Sequence, residues 1–225
     1  MSVEVLLALL VWGTLVGIDL VSVPQMMIAR PLVAGTGAGL LLGDLEMGLR
    51  VGVVLELFQF DVLPVGASRY PEYGPATVAG VALAHGIDGV SALGIGAGVG
   101  LLLALAGGVS LHVVRSANAR AVRKRNGDLE AGDPRALRRT HAGGMLRDFA
   151  RAAAVTTLGL AVAWLAIRLG AAALPASVLV ATSIAVCGTA LATGSVGLLR
   201  IVGRGPNLKW MAAGVAAGLA LVWFV

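Results

Sequence analysis

Glu56 and Gln59 are two polar residues in a long apolar stretch, three positions apart in the sequence. On a helix this spacing places both side chains on one face. A carboxylate and an amide that face a cavity can accept hydrogen bonds from, and donate them to, the hydroxyl groups of a sugar. A structural ion pair of Glu56 with Arg50 or Arg69 would explain the same carboxylate. The sequence leaves these two interpretations open.

Other polar residues near this pair are candidates for the same binding site. Asp61 lies near the predicted end of the helix, and Gln25 follows the proline that ends the first apolar segment. Asp44 begins the helix that carries Glu56 and lies about two dozen ångströms from the end of that helix, so it contributes only if the preceding segment folds back. Charged groups are costly in hydrocarbon and face protein, water or a ligand. Solvation at the membrane interface is the alternative for Gln25 and for Asp19.

The composition is that of a membrane protein. Of the 225 residues, 58% are apolar and 13% are charged, whereas a soluble domain carries about 25% charged residues. Four apolar runs approach or exceed the ~20 residues that a helix needs to cross a bilayer: residues 3–23, 152–169, 173–199 and 208–225. The first run lacks a basic start and a small-residue cleavage site, so we expect an uncleaved helix. Alternating strands of about ten residues are not visible, so the sequence predicts an all-α membrane protein, a polytopic helical bundle.

The apolar stretch at residues 30–60 is broken into two pieces, each too short to span a membrane. The piece from Pro31 to Gly43 has 13 residues, or ~20 Å of helix, against a hydrocarbon core of about 30 Å. Asp44 follows the break and is placed to cap a second helix that runs to about Phe60. These features predict short, broken helices with at least one re-entrant hairpin. A pair of tilted complete spans is the alternative.

Glycines at four-residue spacing predict close helix packing in the same stretch. Two sets each share a helix face: Gly35, Gly39 and Gly43, then Gly48 and Gly52. Small residues repeated in this way let helix backbones approach each other in membranes. The glycines at residues 94–100 lack the spacing and the Lys of a phosphate-binding loop, so helix packing is predicted there too.

Residues 115–151 form one basic segment between two apolar halves. They hold ten Lys and Arg against four Asp and Glu, so their net charge of +6 leaves −1 for the rest of a chain of net charge +5. The positive-inside rule makes this segment cytoplasmic. We therefore predict an N-terminal membrane half at residues 1–114, which carries the candidate site, and a C-terminal membrane half at residues 152–225. The charged side chains are expected to be solvated, and the basic surface could dock a negatively charged soluble partner.

Several kinds of site are not expected. His85 and His112 lack metal-ligand spacing with any other His or Cys, and the lone Cys187 cannot form an intramolecular disulfide. No cofactor is expected either. Phe149 is the only aromatic residue in the basic segment, which argues against nucleic-acid binding.

The loop at residues 69–75 carries both tyrosines of the chain, Tyr70 and Tyr73, between prolines. Tyrosine is common at membrane interfaces, so an interfacial loop is one interpretation. A gate over the candidate site is the other.

The central stretch resembles the IIC membrane subunit of the mannose/fructose/sorbose family of the sugar phosphotransferase system. The resemblance covers residues 5–80 and, more loosely, the basic segment. The motifs that carry it are Arg30-Pro31-Leu32-Val33, Gly39-x-x-x-Gly43-Asp44, Gly48-x-x-x-Gly52, Leu55-Glu56, Gly66-Ala67 and Pro71-Glu72.

The resemblance implies a helical fold with re-entrant hairpins and a mobile core that moves against a scaffold. It implies a IID-type membrane subunit as partner, a cytoplasmic IIA/IIB phosphoryl carrier, a hexose-like sugar as substrate, an oligomer, and a place in the bacterial inner membrane. Asp44, Glu56 and Arg30 match the motifs, whereas Gln59 and Asp61 stand where small or apolar residues are more usual. The resemblance leaves the sugar open.

The function implied is translocation of a hexose-like sugar that a IIB partner phosphorylates, with no catalytic residue in this chain. The alternative is an orphan or secondary permease of the same fold without phosphoryl coupling. A purely structural subunit of a membrane complex is the third possibility, and acidic residues within apolar sequence argue against it.

Overall fold

A computed structural model describes residues 1–60, 62, 69–87, 89–202, 209–210, 212–214 and 216–217. All regular structure in these residues is helical. The α-helices of the described chain are α1 (Val3–Asp19), α2 (Pro31–Leu42), α3 (Leu45–Gln59), α4 (Tyr73–Ile87), α5 (Leu93–Arg123), α6 (Asn126–Glu130), α7 (Pro134–Arg168) and α8 (Ala176–Val202). The predicted all-α class is therefore confirmed.

Within the described chain, three helical segments are long and apolar enough to cross a membrane: Leu93–Arg123, Pro134–Arg168 and Ala176–Gly197. They lie in α5, α7 and α8, so the runs predicted at residues 152–169 and 173–199 are largely helical, as expected. The run predicted at residues 208–225 lies mostly outside the described residues. The first run forms α1, which ends at Asp19 rather than at residue 23.

Helices α2 and α3 form an antiparallel hairpin of two short arms, with 12 and 15 residues. Gly43 ends α2 in the left-handed conformation with φ 72°, which glycine adopts without steric cost. Asp44 then caps α3, because its side chain accepts a hydrogen bond of 3.1 Å from the amide of Met47. The predicted break and both helix bounds agree with the structure within two residues. That the hairpin is re-entrant in a membrane stays a prediction.

Glycines bring the two arms of the hairpin into backbone contact. A Cβ built on Gly35 would lie 2.5 Å from the carbonyl oxygen of Gly48, and one built on Gly39 would lie 2.7 Å from the carbonyl oxygen of Asp44. Only residues without a side chain fit such an approach, so the predicted close packing is confirmed for Gly35, Gly39, Gly48 and Gly52. It was wrong for Gly43, which ends α2 and has nothing within 4 Å of an added Cβ.

Helix α4 is the centre of the molecule. Of its 15 residues, 13 are buried, and it packs against α2, α3, α5 and α7. Gly80 of α4 meets Gly96 of α5, where an added Cβ would lie 2.7 Å from a backbone oxygen. The glycines at residues 94–100 therefore serve helix packing, as predicted.

The basic segment is mostly helical and continues two of the long helices. Its first part extends α5 to Arg123, and its last part begins α7 at Pro134. The extensions are tied together, since Nε of Arg147 donates a hydrogen bond of 2.6 Å to Oδ1 of Asn118. Its assignment to the cytoplasmic side stays a prediction.

Candidate functional site

Glu56 lies beside the start of α2 because the hairpin folds back. Its side chain is 12% exposed and forms an ion pair with Arg30. Its Oε2 also accepts a hydrogen bond of 3.1 Å from the amide of Leu32, one of the unsatisfied donors at the start of α2. Glu56 therefore holds the two arms together at their open end.

Glu56 does form an ion pair, but its partner is Arg30, and the predicted partners Arg50 and Arg69 were wrong. Arg50 pairs instead with Glu46, one helical turn away, on the exposed side of α3. Positions 50 and 56 are about one and two-thirds turns apart, so they face different directions. Arg30 reaches Glu56 only because α2 and α3 are antiparallel.

Gln59 faces a different environment from Glu56, although both lie in the last part of α3. It lines a small cavity with Leu20, Ala29, Tyr70 and Glu72, among others. Among the described residues, its Oε1 is buried without a hydrogen-bond partner. The cavity volume is about 10 Å³, which is about the space that one water molecule requires.

Asp44 lies at the tip of the hairpin, about 18 Å from Glu56 along α3. Nδ1 of His85, near the end of α4, lies 3.1 Å from Oδ2 of Asp44. Burial raises the pKa of the Asp44 carboxyl, but hydrogen bonds from His85 and from the Met47 amide outweigh it and hold the pKa below its ordinary value. The structure therefore does not bring Asp44 to the other candidate residues.

Asp19 is the last residue of α1, and Gln25 lies in the segment between α1 and α2. Gln25 is exposed, and its side-chain amide donates to the carbonyl of Val21 over 3.2 Å. Asp19 is only 2% exposed, and its two oxygens accept from the amides of Met26 at 2.7 Å and Ala29 at 3.1 Å. Asp19 therefore fixes the backbone of the segment that follows α1. Because its side chain is buried, solvation at the membrane interface does not explain this residue. Asp61 lies outside the described residues.

A buried cluster of charged residues, missed as a site from the sequence, lies on the other side of the cavity. It consists of Glu72, 0% exposed, Asp148, 1% exposed, and Arg151, 7% exposed. Arg151 forms ion pairs with both acids, with 2.9 Å from its Nε to Oδ1 of Asp148. The expectation that Asp148 and Arg151 are solvated with the rest of the basic segment was therefore wrong.

The guanidinium of Arg151 is held from several segments at once. It donates to the carbonyl of Gly17 in α1 over 2.9 Å and to Oγ of Ser110 in α5 over 3.4 Å. Asp148 in turn accepts from Oγ of Ser22 over 2.5 Å. The loop at residues 69–75 thus places Glu72 in the protein interior.

One acceptor atom of this cluster has no hydrogen-bond donor among the described residues. Oε2 of Glu72 receives the guanidinium, but its Oε1 is buried and has no hydrogen-bond partner in the described structure. Two carboxylates and one guanidinium also sum to a charge of −1. The sequence signal was available, since Pro71-Glu72 is one of the family motifs and Asp148 and Arg151 lie one turn apart at the start of an apolar run.

Helices of spanning length around buried ionisable side chains define a polytopic membrane protein, and such groups are commonly functional in transport proteins. Residues 3–223 match the family described as "PTS system sorbose-specific iic component". The chain belongs to this family, the sorbose-specific IIC components of the phosphotransferase system. The resemblance inferred from the motifs is thereby confirmed.

Curated relatives match over part of their length. The chain is 39% identical over 80 residues to the sorbose-specific EIIC component of Klebsiella pneumoniae, covering 36% of this chain and 29% of that protein. It is 33% identical over 87 residues to the mannose-specific EIIC component of Escherichia coli K12, covering 39% and 32%. It is 40% identical over 77 residues to the fructose permease IIC component of Bacillus subtilis, covering 34% and 27%. The matched region thus spans about a third of each relative.

Solved structures share the fold over nearly the whole chain. One, described as a membrane protein, superposes with a TM-score of 0.78 at 19% identity, covering 100% of this chain and 96% of the other. Another, from a complex of the mannose transporter ManYZ with microcin E492, superposes with a TM-score of 0.63 at 20% identity, covering 97% and 87%. At these identities the likeness establishes the fold alone.

Proposed function

We propose that this chain is the sugar-translocating IIC subunit of a mannose/fructose/sorbose-type phosphotransferase system in a bacterial inner membrane. It binds a hexose-like sugar and passes it inward, where a IIB partner phosphorylates it. Family membership supports the proposal. The names of the chain's relatives specify sorbose, mannose and fructose. The observation that carries it is the small buried cavity lined by Gln59 and Glu72, because polar groups that are buried without a partner in an apolar fold commonly mark functional sites.

The chain contributes a binding cavity and access to it, and the phosphoryl group comes from the partner. We propose that the covalent step uses no side chain of this protein. The proposed ligands are Gln59 and Glu56, together with Asp61, which lies outside the described residues. Asp44 and Gln25 are weaker members of the set, because Asp44 lies at the hairpin tip and Gln25 is exposed.

We propose three partners besides the sugar and the lipid bilayer. They are a IID-type membrane subunit, a cytoplasmic IIA/IIB phosphoryl carrier and further copies of the pair in an oligomer. A chain of this fold has been solved in a complex of the mannose transporter ManYZ with microcin E492. The membrane partner is also consistent with the many exposed apolar side chains of α1 and α8. A stable chain that transports sugar without any partner would overturn the IID assignment.

Transport in reconstituted vesicles tests the function. The chain is incorporated with a IID-type subunit, and uptake of radiolabelled D-mannose, D-fructose and L-sorbose is measured with and without phosphorylated IIB. We expect uptake of at least one sugar only with phosphorylated IIB, and accumulation of its phosphate. Equal uptake without IIB would favour the permease without phosphoryl coupling. Absence of uptake for all three sugars would contradict the proposal.

Glu56 is tested as a ligand by two substitutions. Glu56→Gln keeps the shape and an acceptor for the Leu32 amide, whereas Glu56→Ala removes both. Because the carboxylate joins Arg30 to the start of α2, we expect the alanine variant to lose more thermal stability than the glutamine variant. Sugar affinity is measured by calorimetry on both. Native affinity in both folded variants would show that Glu56 is not a substrate ligand.

A further inference from the structure

We propose that Gln59 and Glu72 form a subsite whose two buried acceptor oxygens bind one hydroxyl group of a neutral sugar and disfavour a phosphate ester. The proposal rests on the proposed function for the identity of the ligand as a sugar. It adds Glu72 as a residue that contacts the substrate, and it gives the site a selectivity that neither the motifs nor the relatives assign.

The first argument is the hydrogen-bonding balance of the cavity. Oε1 of Gln59 and Oε1 of Glu72 are both buried acceptors without a donor among the described residues, and both residues line the same cavity. A buried acceptor without a donor is costly, so the pair requires a group with hydrogen-bond donors. A hydroxyl group can donate to one of the two acceptors, and a water molecule can donate to both.

The second argument is size. The cavity volume of about 10 Å³ admits about one water molecule. A single hydroxyl group occupies a similar space, whereas a sugar ring or a phosphate group does not. The subsite therefore takes one hydroxyl of the ligand, and a water molecule takes its place when the ligand is absent.

The third argument is charge. The cavity is bordered by the carboxylate of Glu72, and the described residues that line it include no Lys or Arg. Arg151 is committed to Glu72, Asp148 and the carbonyl of Gly17, so it cannot turn toward a phosphate without breaking these bonds.

Charged residues behind the cavity lining do not change the sign of the net charge around the cavity. Asp19 holds the backbone at Ala29, which lines the cavity, and Arg115 donates a hydrogen bond to the hydroxyl of Tyr70. With the cluster included and every acid ionised, three carboxylates face two guanidinium groups, which leaves a formal charge of −1. A sugar phosphate therefore meets repulsion where the neutral sugar meets acceptors, and this difference favours release of a phosphorylated product.

The test uses the full-length chain together with any membrane subunit that co-purifies with it. Binding of D-mannose, D-fructose and L-sorbose is measured by calorimetry, and the phosphate ester of each sugar that binds is then titrated. Gln59→Leu removes one acceptor and leaves the charged cluster intact. Glu72→Gln removes the negative charge at the cavity. Glu46→Gln is the matched control, since it removes an acid from an exposed ion pair on the same hairpin.

We expect Gln59→Leu to weaken binding of the neutral sugar by about tenfold, because one buried acceptor for its hydroxyl is lost. Glu72→Gln should narrow the difference in affinity between the sugar and its phosphate, and Glu46→Gln should change neither. Thermal unfolding of each variant establishes that it is folded. Should Glu72→Gln fail to fold, Gln59→Leu decides the outcome.

The possible failures are distinguishable. If the wild-type protein binds none of the three sugars, the proposed function itself is contradicted. If it binds a sugar and folded Gln59→Leu keeps the wild-type affinity, the subsite is overturned while the proposed function stands. A wild-type protein that binds the phosphate ester as tightly as the sugar would overturn the selectivity.

Discussion

Nδ1 of His85 lies 3.1 Å from Oδ2 of Asp44, which joins the tip of the α2–α3 hairpin to the end of α4. The two residues are 41 positions apart in the sequence. Asp44 also caps α3 through the Met47 amide. One carboxylate therefore ends the hairpin turn and fixes it to the central helix.

Asp44→Ala should lower the free energy of unfolding by about 1 kcal/mol, the usual contribution of a helix cap. Asp44→Asn, which keeps an acceptor for the Met47 amide, should lose less. Because the pKa of Asp44 is lowered in the folded state, its contribution is present above the ordinary carboxyl pKa of ~3.9 and is lost as pH falls through the folded value. Thermal unfolding at neutral and acid pH measures both effects. Equal stability of all three proteins would contradict this role.

Gly35→Ala should destabilise the hairpin, because the new Cβ would lie 2.5 Å from the carbonyl oxygen of Gly48. Overpacking of this kind costs about 1–3 kcal/mol. Gly188→Ala in α8 is the control, since nothing lies within 4 Å of its added Cβ. The melting temperatures of the two variants in detergent provide the comparison. A control that loses as much stability as Gly35→Ala would show that backbone contact is not the reason.

Arg151→Met should destabilise the protein by about 3–5 kcal/mol, because it leaves two buried carboxylates without their partner. Replacing Glu72 by Gln and Asp148 by Asn in the same chain should restore part of the loss, since neutral amides tolerate burial better than unpaired charges. Folded yield and unfolding temperature are the measurements. If the variant with all three substitutions is no more stable than Arg151→Met, the cluster does not stabilise the protein through electrostatic pairing.

Residues 115–151 should be accessible only from the cytoplasm, because their ten Lys and Arg set the orientation of the flanking helices. Cys187 is the only cysteine, so a Cys187→Ala background allows single cysteines at Ser116 or Asn126. Labelling of intact cells with an impermeant thiol reagent should fail, and labelling after permeabilisation should succeed. Ready labelling from outside would reverse the topology.

The hairpin could be predicted from the sequence because its signals are local. Gly43 provides the left-handed turn, Asp44 the cap, and Pro31 the start of the first arm. Each acts within a few residues of its own position, where pattern and propensity are sufficient. Glu56 was expected in an ion pair or a ligand site, but its partner Arg30 depends on how two helices pack, which spacing along one helix does not reveal.

The buried cluster was not predicted as a whole, because motif and spacing point to its members separately and these come from distant parts of the chain. Glu72 and Arg151 are 79 positions apart. Arg151 also lies at the end of a basic segment, and the other basic residues there predict that the segment is exposed to solvent. Its burial follows from α7 crossing α1 and α5 at this level. Only the packing of three helices distinguishes Arg151 from its neighbours in sequence.

Arg151 also determines which parts of the molecule can move easily. Its bonds reach α1, the start of α4 and α5, so sliding α7 against these elements would break several hydrogen bonds together. The α2–α3 hairpin takes part in none of these bonds, and its contacts near the cavity come from Gln59 at the end of one arm. Movement of the hairpin against α4 would instead break the contact between Asp44 and His85, and the cavity lies where Gln59 of the hairpin meets the elements that Arg151 joins.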